Sequence, residues 1–166
     1  MLYNTTMQKR YKQLDKRLTA IAELVREGAT VCDVGTDHAY LPCHLARAGK
    51  YGRVYASDLN PKPLEFAAAQ IQHQGVDVTL IQSDGLENVP VCEDVVIAGM
   101  GGELIAEIVA KMPQEFKTPE LRLIMQPMTR AGHLREGLAE CGFEIISEKT
   151  VYENNRYFTI IYGRLI

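Results

Sequence analysis

The sequence predicts an α/β fold in which helices cover both faces of a mostly parallel sheet. Short apolar runs, typical of strands that are buried on both faces, alternate with segments of helical periodicity. Several of these runs end in an acidic residue or in a glycine turn. Near the C-terminus the alternation stops, and two strand-like runs follow each other closely enough to pair as a hairpin.

The composition fits a single globular domain that spans residues 1–166. Of the 166 residues 46% are hydrophobic, which is enough for one full core and too few for two large domains. The formal net charge of −3 provides no global positive field, so any contact with RNA requires a local basic patch. The four cysteines form no CxxC pair, and no run approaches the roughly 18 uncharged residues of a membrane span. We therefore expect a cytoplasmic protein with free thiols and no membrane association.

The first predicted element is a helix that docks ahead of the sheet. Apolar residues at helical spacing run from Leu14 to Val25, and Gly28 closes this N-terminal helical segment, residues 1–28. Its polar side is more typical of a solvated face than of a phosphate-binding stripe. The basic residues on that side are Lys9, Arg10, Lys12, Lys16 and Arg17.

Five strands and four further helices are predicted between residues 30 and 141. Proline fits the first turn of two of these helices, at Pro42 and directly after the cap residue Asn60. A turn is expected at residues 126–128, and the polar link 152–156 joins the two strands of the terminal hairpin. The strands are predicted at 30–34, 53–57, 76–82, 94–98, 121–125, 143–151 and 157–164, and the helices at 42–48, 61–74, 103–112 and 134–141.

Acidic residues and glycines stand at the carboxyl ends of the predicted strands. In an open parallel sheet, ligands bind beyond these ends, near the point where the strand order reverses. We therefore expect Gly35, Asp58, Asp84 and Gly99 to converge on one crevice. Asp58 follows Gly35 by 23 positions, which is the usual spacing for an acid that holds the two ribose hydroxyls of a nucleotide.

The first glycine turn discriminates between nucleotide cofactors. A dinucleotide fingerprint requires a second glycine where this sequence has Asp37, and a carboxylate at that position repels phosphate. S-adenosylmethionine has no phosphate and carries a sulfonium and an ammonium group, which Asp33 and Asp37 would stabilise. The alternative is that both aspartates only bond neighbouring amides and cap the next helix. Three acidic strand ends and the closing hairpin favour the cofactor site.

Four blocks of the sequence resemble the TrmK family, the bacterial tRNA (adenine(22)-N1)-methyltransferases. They are DVGTDHAYLP at 33–42, SDGLE at 83–87, AGMGGELI at 98–105 and LIMQPM at 123–128. The resemblance implies a Rossmann-like class I methyltransferase fold, with a seven-stranded, mostly parallel sheet and an antiparallel terminal hairpin strand. It also implies S-adenosylmethionine in the crevice and an adenine of tRNA as the methyl acceptor.

The resemblance extends to individual positions of the site. It assigns Asp33 and Gly35 to the first cofactor motif, Asp58 to the ribose, and Asp84 and Gly85 to the adenine of the cofactor. The full set expected on the cofactor side is Asp33, Gly35, Asp37, Asp58, Leu59, Asp84, Gly85 and Gly99. The set expected to face the acceptor base is Met100, Gly101, Gly102 and Pro127.

The candidate catalytic residues are the polar or aromatic groups expected to border the base, namely Asp37, His38, Tyr40 and Gln126. N1 of adenine is a neutral ring nitrogen with a lone pair, so the enzyme mainly has to align it with the sulfonium methyl and exclude water. We expect the base to swing out into a pocket, where it could stack on Tyr40. His38 fits a base contact and a histidine bonded within the turn equally well. No histidine has the acidic ligand spacing of a metal site, so no metal is expected.

Members of the family usually continue into a helical, coiled-coil region that helps to hold tRNA, whereas this sequence ends at Ile166. We therefore expect the C-terminal RNA-binding region to be absent, with a homodimer or a partner protein as possible sources of RNA-binding surface. Two alternatives stay open. One is a methyltransferase for another RNA or a small molecule, and the other is a cofactor-binding module without turnover.

The acidic turn predicts that NAD does not bind. Because Asp37 stands where a dinucleotide site needs a glycine, its carboxylate would face the pyrophosphate and oppose binding. Titration calorimetry with NAD is expected to show no saturable heat. A saturable NAD isotherm would overturn the interpretation of this turn.

Overall fold

The computed structural model describes residues 13–166 and is built on one sheet of seven strands. The strands are β1 (Val31–Val34), β2 (Val54–Asp58), β3 (Thr79–Gln82), β4 (Asp94–Gly101), β5 (Arg122–Thr129), β6 (Phe143–Glu153) and β7 (Arg156–Leu165). The helices are α1 (Lys16–Leu24), α2 (Tyr40–Ala48), α3 (Pro61–Gln74), α4 (Gly102–Ala110) and α5 (Ala131–Glu140), with a 3-10 turn at Gln114–Phe116. The beginning of the predicted docking segment, with Lys9, Arg10 and Lys12, lies outside the described residues.

The strand order of the sheet is β3-β2-β1-β4-β5-β7-β6. Strands β1 to β5 pair in parallel, and β7 lies antiparallel between β5 and β6. The predicted mostly parallel sheet with an antiparallel terminal hairpin strand is confirmed. Because β1 and β4 are neighbours, the strand order reverses between them, and this is where such sheets bind ligands.

Helices cover both faces of the sheet, as predicted, because the central strands are apolar on both sides. One core contains Cys32, Ile97 and residues of α4 and α5, and the other contains Val31, Val96 and residues of α1 and α2. All four cysteines are free, which confirms the expected thiols. In the part of the chain that the structure describes, no helix combines the length and apolarity needed to cross a membrane.

Several predicted boundaries are wrong. Helix α2 begins at Tyr40, so Pro42 is its third residue and not its first, where a proline still lacks only an N–H that has no helical partner. Strand β3 begins three residues late, and α5 begins three residues early. The side chain of Asn60 makes no capping hydrogen bond, although the residue occupies the cap position of α3.

The turn predicted at residues 126–128 is instead the end of β5. Gln126 pairs with Ala98 and Pro127 with Met100 of β4, across an irregularity at Gly99. Strand β7 pairs with β5 only as far as Met125, so Pro127 lies beyond the stretch where both neighbours of β5 are present. A proline is tolerated there because no second neighbour requires its missing N–H.

The terminal hairpin projects past the sheet at the edge that carries the carboxyl ends of the parallel strands. Its strands pair up to Glu153 and Arg156, and the two turn residues, Asn154 and Asn155, both have left-handed φ angles of 52° and 59°. Asparagine tolerates this conformation, which tight hairpins require. A carboxylate oxygen of Glu153 accepts a hydrogen bond from the backbone N–H of Lys16 at 2.6 Å, so the projecting hairpin is attached to α1.

An ion pair with a buried carboxylate attaches the segment after α1 to the opposite end of the sheet, where the parallel strands begin. The guanidinium of Arg26 contacts the carboxylate of Asp94, which is 0% exposed and also accepts from the Arg26 backbone N–H at 2.8 Å. The same guanidinium donates to the carbonyl oxygen of Glu120 at 2.6 Å. One side chain therefore joins α1 to the starts of β4 and β5.

Arg26→Met is expected to lower the free energy of unfolding by about 3 kcal/mol, because it leaves the buried carboxylate of Asp94 without its cation. Urea unfolding measures this loss. The matched control is Lys50→Met, which removes an exposed partner 3.4 Å from Glu27 and is expected to cost less than about 1 kcal/mol. Equal losses in the two variants would contradict a stabilising role for the buried pair.

Candidate functional site

A cleft of about 220 Å³ lies at the ends of β1 and β4, where the strand order reverses. It is lined by the turn after β1, the start of α2, the end of β4 and one face of α1. Its walls include the predicted site residues Asp33, Gly35, Asp37, His38, Tyr40 and Gly99, together with Arg17, Leu18, Thr36, Leu41 and Ala98. The cleft therefore lies at the carboxyl ends of the parallel strands, where the sequence predicts a crevice.

The turn after β1 is rigidly held by left-handed backbone and by bonds to β2. Gly35, Asp37 and Ala39 have φ angles of 73°, 53° and 59°. The N–H groups of Gly35 and Thr36 both donate to the carbonyl oxygen of Ser57, at 2.8 and 3.0 Å. A side chain at position 35 would be strained and would also clash with the end of the Met100 side chain. Glycine is therefore needed here mainly for its left-handed conformation, because the Met100 methyl is the far end of a flexible side chain and can move.

Asp33 places a buried carboxyl group at the floor of the cleft. The residue is 8% exposed, and this burial raises the pKa of Asp33 to about 7. Thr36 and the guanidinium of Arg17 oppose the rise in the pKa, whereas the charge of Asp58 adds to it. The hydroxyl of Thr36 is itself buried; it lies near enough to the Asp33 carboxyl to lower its pKa, but it makes no hydrogen bond of good geometry with any residue among 13–166. Buried polar groups normally have partners, so this cleft is chemically prepared for a polar ligand.

Asp37 lies at the mouth of the cleft, and its side chain is 71% exposed. Its carboxylate lies 3.2 Å from Nδ1 of His38. Within residues 13–166 no side chain caps α2, so the part of the alternative in which the two aspartates cap that helix is wrong. Asp37 is therefore available to a ligand in the cleft.

His38 is the middle ring of an aromatic stack. Its ring centroid lies 5.5 Å from that of Tyr40 and 5.1 Å from that of Phe66, with interplanar angles of 5° and 16°. Phe66 comes from α3 and is exposed, and it was not among the predicted site residues. A Phe within a helical apolar pattern carries no sequence signal for such a role. The stack extends the wall of the cleft from Tyr40 and His38 out to Phe66 and leaves only the outer faces of its two end rings open to a further ring.

The other predicted cofactor residues are distributed over neighbouring strand ends. Asp58 ends β2, and its carboxylate accepts from the backbone N–H of Asn60 at 3.1 Å, while Leu59 is 54% exposed. Asp84 and Gly85 do not line the cleft at β1 and β4. They line a second cavity of about 320 Å³ together with Leu104, Glu107, Ile108 and Lys111 of the α4 region. The sequence predicted that these residues share one crevice with Gly35 and Gly99, whereas Asp84 and Gly85 line a different cavity.

Two glycines predicted to make room for an acceptor base have another structural role. A side chain at Gly102 would clash with the backbone of Arg130, and one at Gly101 would come within 3.3 Å of the Thr129 hydroxyl. The space beside both glycines is filled by the end of β5. Met100, by contrast, is half-buried and covers Gly35, and Pro127 is buried in β5.

Gln126 lies beneath the cleft and not on its surface. It is 0% exposed, and its side-chain oxygen accepts from Arg17 at 2.8 Å and from the backbone N–H of Gly99 at 3.2 Å. Its side-chain nitrogen donates to the carbonyl oxygen of Pro127 at 3.0 Å. Gln126 therefore positions the Gly99 turn and Arg17, in contrast to the prediction that it borders the base.

Arg17 is a second residue of this site that the sequence interpretation missed. It lies on α1, and its guanidinium carbon stands 5.9 Å from the ring centroid of Phe158 in the hairpin. In sequence it is one of several basic residues on a polar helix face, which is typical of solvent exposure. Only the packing of α1 against the hairpin brings it to the cleft.

Asp33→Asn is expected to stabilise the ligand-free protein more at pH 8 than at pH 5. The folded-state pKa of about 7 exceeds the ordinary value of 3.8, so the stability contributed by Asp33 falls as the pH rises between these values. Asparagine lacks this titration, and the gain relative to wild type should grow by about 2 kcal/mol over that range. Urea unfolding at both pH values measures it, with Asp37→Asn as the exposed control. A difference that does not change with pH would contradict the buried carboxylate.

Comparison with known proteins gives this site its context. Residues 14–161 match the family model described as a methyltransferase domain. The chain is 35% identical over 153 residues to the tRNA (adenine(22)-N(1))-methyltransferase of Bacillus subtilis, which covers 90% of this chain and 64% of that protein. The chain therefore spans less than two thirds of the length of this relative.

Solved structures of methyltransferases have a fold closely similar to that of this chain. The crystal structure of the B. subtilis m1A22 tRNA methyltransferase TrmK superposes with a TM-score of 0.87 at 32% identity, over 93% of this chain and 67% of that one. A Streptococcus pneumoniae structure in complex with S-adenosyl-L-methionine superposes with a TM-score of 0.84 at 31% identity, over 92% and 73% of the two chains. The chain belongs to the methyltransferase-domain family and, within it, to the TrmK family.

Proposed function

We propose that this protein is an S-adenosylmethionine-dependent methyltransferase that methylates N1 of an adenine in tRNA. The observation that supports the acceptor most directly is the 35% identity, over 90% of this chain, to a tRNA (adenine(22)-N(1))-methyltransferase. The same relative suggests position 22 as the target. The cleft between β1 and β4 supports the cofactor independently of that likeness.

The polar groups of the cleft fit the charges of the cofactor. S-adenosylmethionine supplies a methyl group on a positively charged sulfur atom and also carries an ammonium. The carboxylates of Asp33 and Asp37 face that cleft, and the buried hydroxyl of Thr36 makes no hydrogen bond of good geometry among the described residues. A ligand with cations and hydrogen-bonding groups would satisfy all three, whereas a pyrophosphate would be repelled.

The nucleoside end of the cofactor is assigned to the next two strand ends. Asp58, at the end of β2, would accept hydrogen bonds from the ribose hydroxyls, with the exposed Leu59 packed against the sugar or the base. Asp84 and Gly85 would border the adenine. Their place in the second cavity, beside Ile108, supports an extended cofactor that reaches from one cavity towards the other.

Methyl transfer to the acceptor depends more on the alignment of the adenine ring than on proton transfer. N1 of adenine has a lone pair at neutral pH, so the chain has to orient the ring and exclude water. The stacked rings of Tyr40, His38 and Phe66 offer a surface on which an extruded base can lie. Asp37 stands at the same mouth and can bond the edge of the base. Gln126 acts indirectly, because its side-chain oxygen accepts a hydrogen bond from the backbone N–H of Gly99 and so holds Gly99 in place.

A ring nitrogen fits this site better than an exocyclic amine. Methyltransferases that act on such amines usually have an Asn/Asp-Pro-Pro-aromatic turn after the fourth strand, which bonds the amine and stacks on the base. Residues 98–102 of this chain are Ala-Gly-Met-Gly-Gly and supply neither group. The aromatic surface comes from the turn after β1 instead.

Incubation with unmodified bulk tRNA and methyl-labelled S-adenosylmethionine is expected to place the label in 1-methyladenosine. Complete digestion of the tRNA to nucleosides, followed by chromatography against standards, measures the product. A transcript in which the target adenine is replaced by guanine serves as the matched substrate control and should remain unlabelled.

Each other outcome points to a different function. Label in another nucleoside, in protein or in a small molecule would refute the tRNA adenine-N1 activity while leaving a methyltransferase. Binding of S-adenosylmethionine without transfer to any RNA would indicate a cofactor-binding module. Absence of cofactor binding would refute the proposal as a whole.

A further inference from the structure

Arg17 is the only lysine or arginine among the described residues that line the cleft. It faces a pocket whose other charged groups are the carboxylates of Asp33 and Asp37. Arg17 and Asp33 line the same cleft, and the positive charge of Arg17 lowers the pKa of Asp33. One side of the cleft therefore attracts cations, and the α1 side attracts an anion.

The side chain of Arg17 is fixed in place. Within residues 13–166 its guanidinium makes one hydrogen bond, to Oε1 of Gln126 at 2.8 Å. Phe158 packs against it, with the guanidinium carbon 5.9 Å from the ring centroid. A guanidinium has five N–H groups in a rigid fork that matches a carboxylate, and Gln126 occupies one of them. An arginine held in this way is already oriented for an anion and loses little freedom on binding.

The proposed cofactor has an anion that the two aspartates cannot accommodate. Its amino-acid end carries a carboxylate next to the ammonium, and a carboxylate beside Asp33 and Asp37 would be repelled. A cation on the side of the cleft where that carboxylate lies would stabilise it. Arg17 is the group that provides this cation among the described lining residues.

We propose that Arg17 binds the carboxylate of the cofactor's amino-acid end, and that it makes the cleft selective for nucleoside cofactors that carry this carboxylate. The inference rests on the proposed cofactor and adds the residue that recognises its amino-acid end. It assigns α1, which precedes the sheet in sequence, a direct role in cofactor recognition. The alternative is a structural role, in which Arg17 only holds Gln126 and offsets the charge of Asp33.

The test compares two ligands that differ only in the carboxylate, S-adenosylmethionine and decarboxylated S-adenosylmethionine. Titration calorimetry measures both with the wild-type protein, Arg17→Met and Arg17→Lys. The wild type should prefer S-adenosylmethionine by about 10- to 100-fold, the range expected for a charge-assisted hydrogen-bonded pair. Arg17→Met should lose that preference, with little change in affinity for the decarboxylated ligand. Arg17→Lys keeps the charge without the fork and should fall between the two.

Lys16→Met is the matched control, because Lys16 is exposed on the same helix and does not line the cleft. It should bind both ligands as the wild type does. Urea unfolding of each variant checks that the fold is retained. If Arg17→Met does not fold, the ligand preference of Arg17→Lys tests the inference instead.

Three results would overturn the inference. Equal loss of both ligands in Arg17→Met would indicate the structural role. A preference for S-adenosylmethionine that survives in Arg17→Met would place the carboxylate elsewhere. A wild type that binds both ligands equally would refute carboxylate recognition while leaving the cofactor in place, whereas a wild type that binds neither would refute the proposed function itself.

Discussion

The parallel pairing of β1 with β4 is the constraint on which the site depends. These strands are neighbours in the sheet although β2 and β3 lie between them in the chain. The connections that leave β1 and β4 therefore diverge to opposite sides, and a crevice remains between the two strand ends. The turn after β1, the end of β4 and the face of α1 all border that crevice. The position of the cleft is thus a consequence of strand order, whatever its side chains.

Asp33 puts a carboxyl group at a buried position of the sheet, where an apolar side chain would stabilise the fold more. Asp33 lies in a strand whose residues are all buried, and that burial raises its pKa to about 7. Burying a carboxylate costs free energy unless a charge or hydrogen bond compensates it. Arg17 provides part of that compensation, and a cationic ligand would provide more. The buried hydroxyl of Thr36, which makes no hydrogen bond of good geometry in the described chain, is a second polar group that a ligand in the cleft would satisfy.

Gln126 connects the elements that build the site. Its side-chain oxygen accepts hydrogen bonds from Arg17 of α1 and from Gly99 near the end of β4, while its backbone belongs to β5. The projecting hairpin completes the arrangement, because Phe158 packs against Arg17 and Glu153 bonds the start of α1. Gln126, which was predicted to border the acceptor base, thus supports the cleft from beneath, and the terminal hairpin supports the helix that lines one side of the cleft.

The sequence by itself determined the alternating strands and helices, the terminal hairpin and the acidic turn at Asp33 to Asp37, because these depend on local periodicity and on turn chemistry. It could not place features that depend on contacts between distant segments. The pairing with β4 turned residues 126–128 into strand, and the approach of Arg130 gave Gly102 its role. Likewise, contacts between distant segments place Phe66 in the aromatic stack and Asp84 in a second cavity. Arg17 is the clearest case: its own helix marks it as solvated, and only the packing of α1 against the hairpin makes it part of the site.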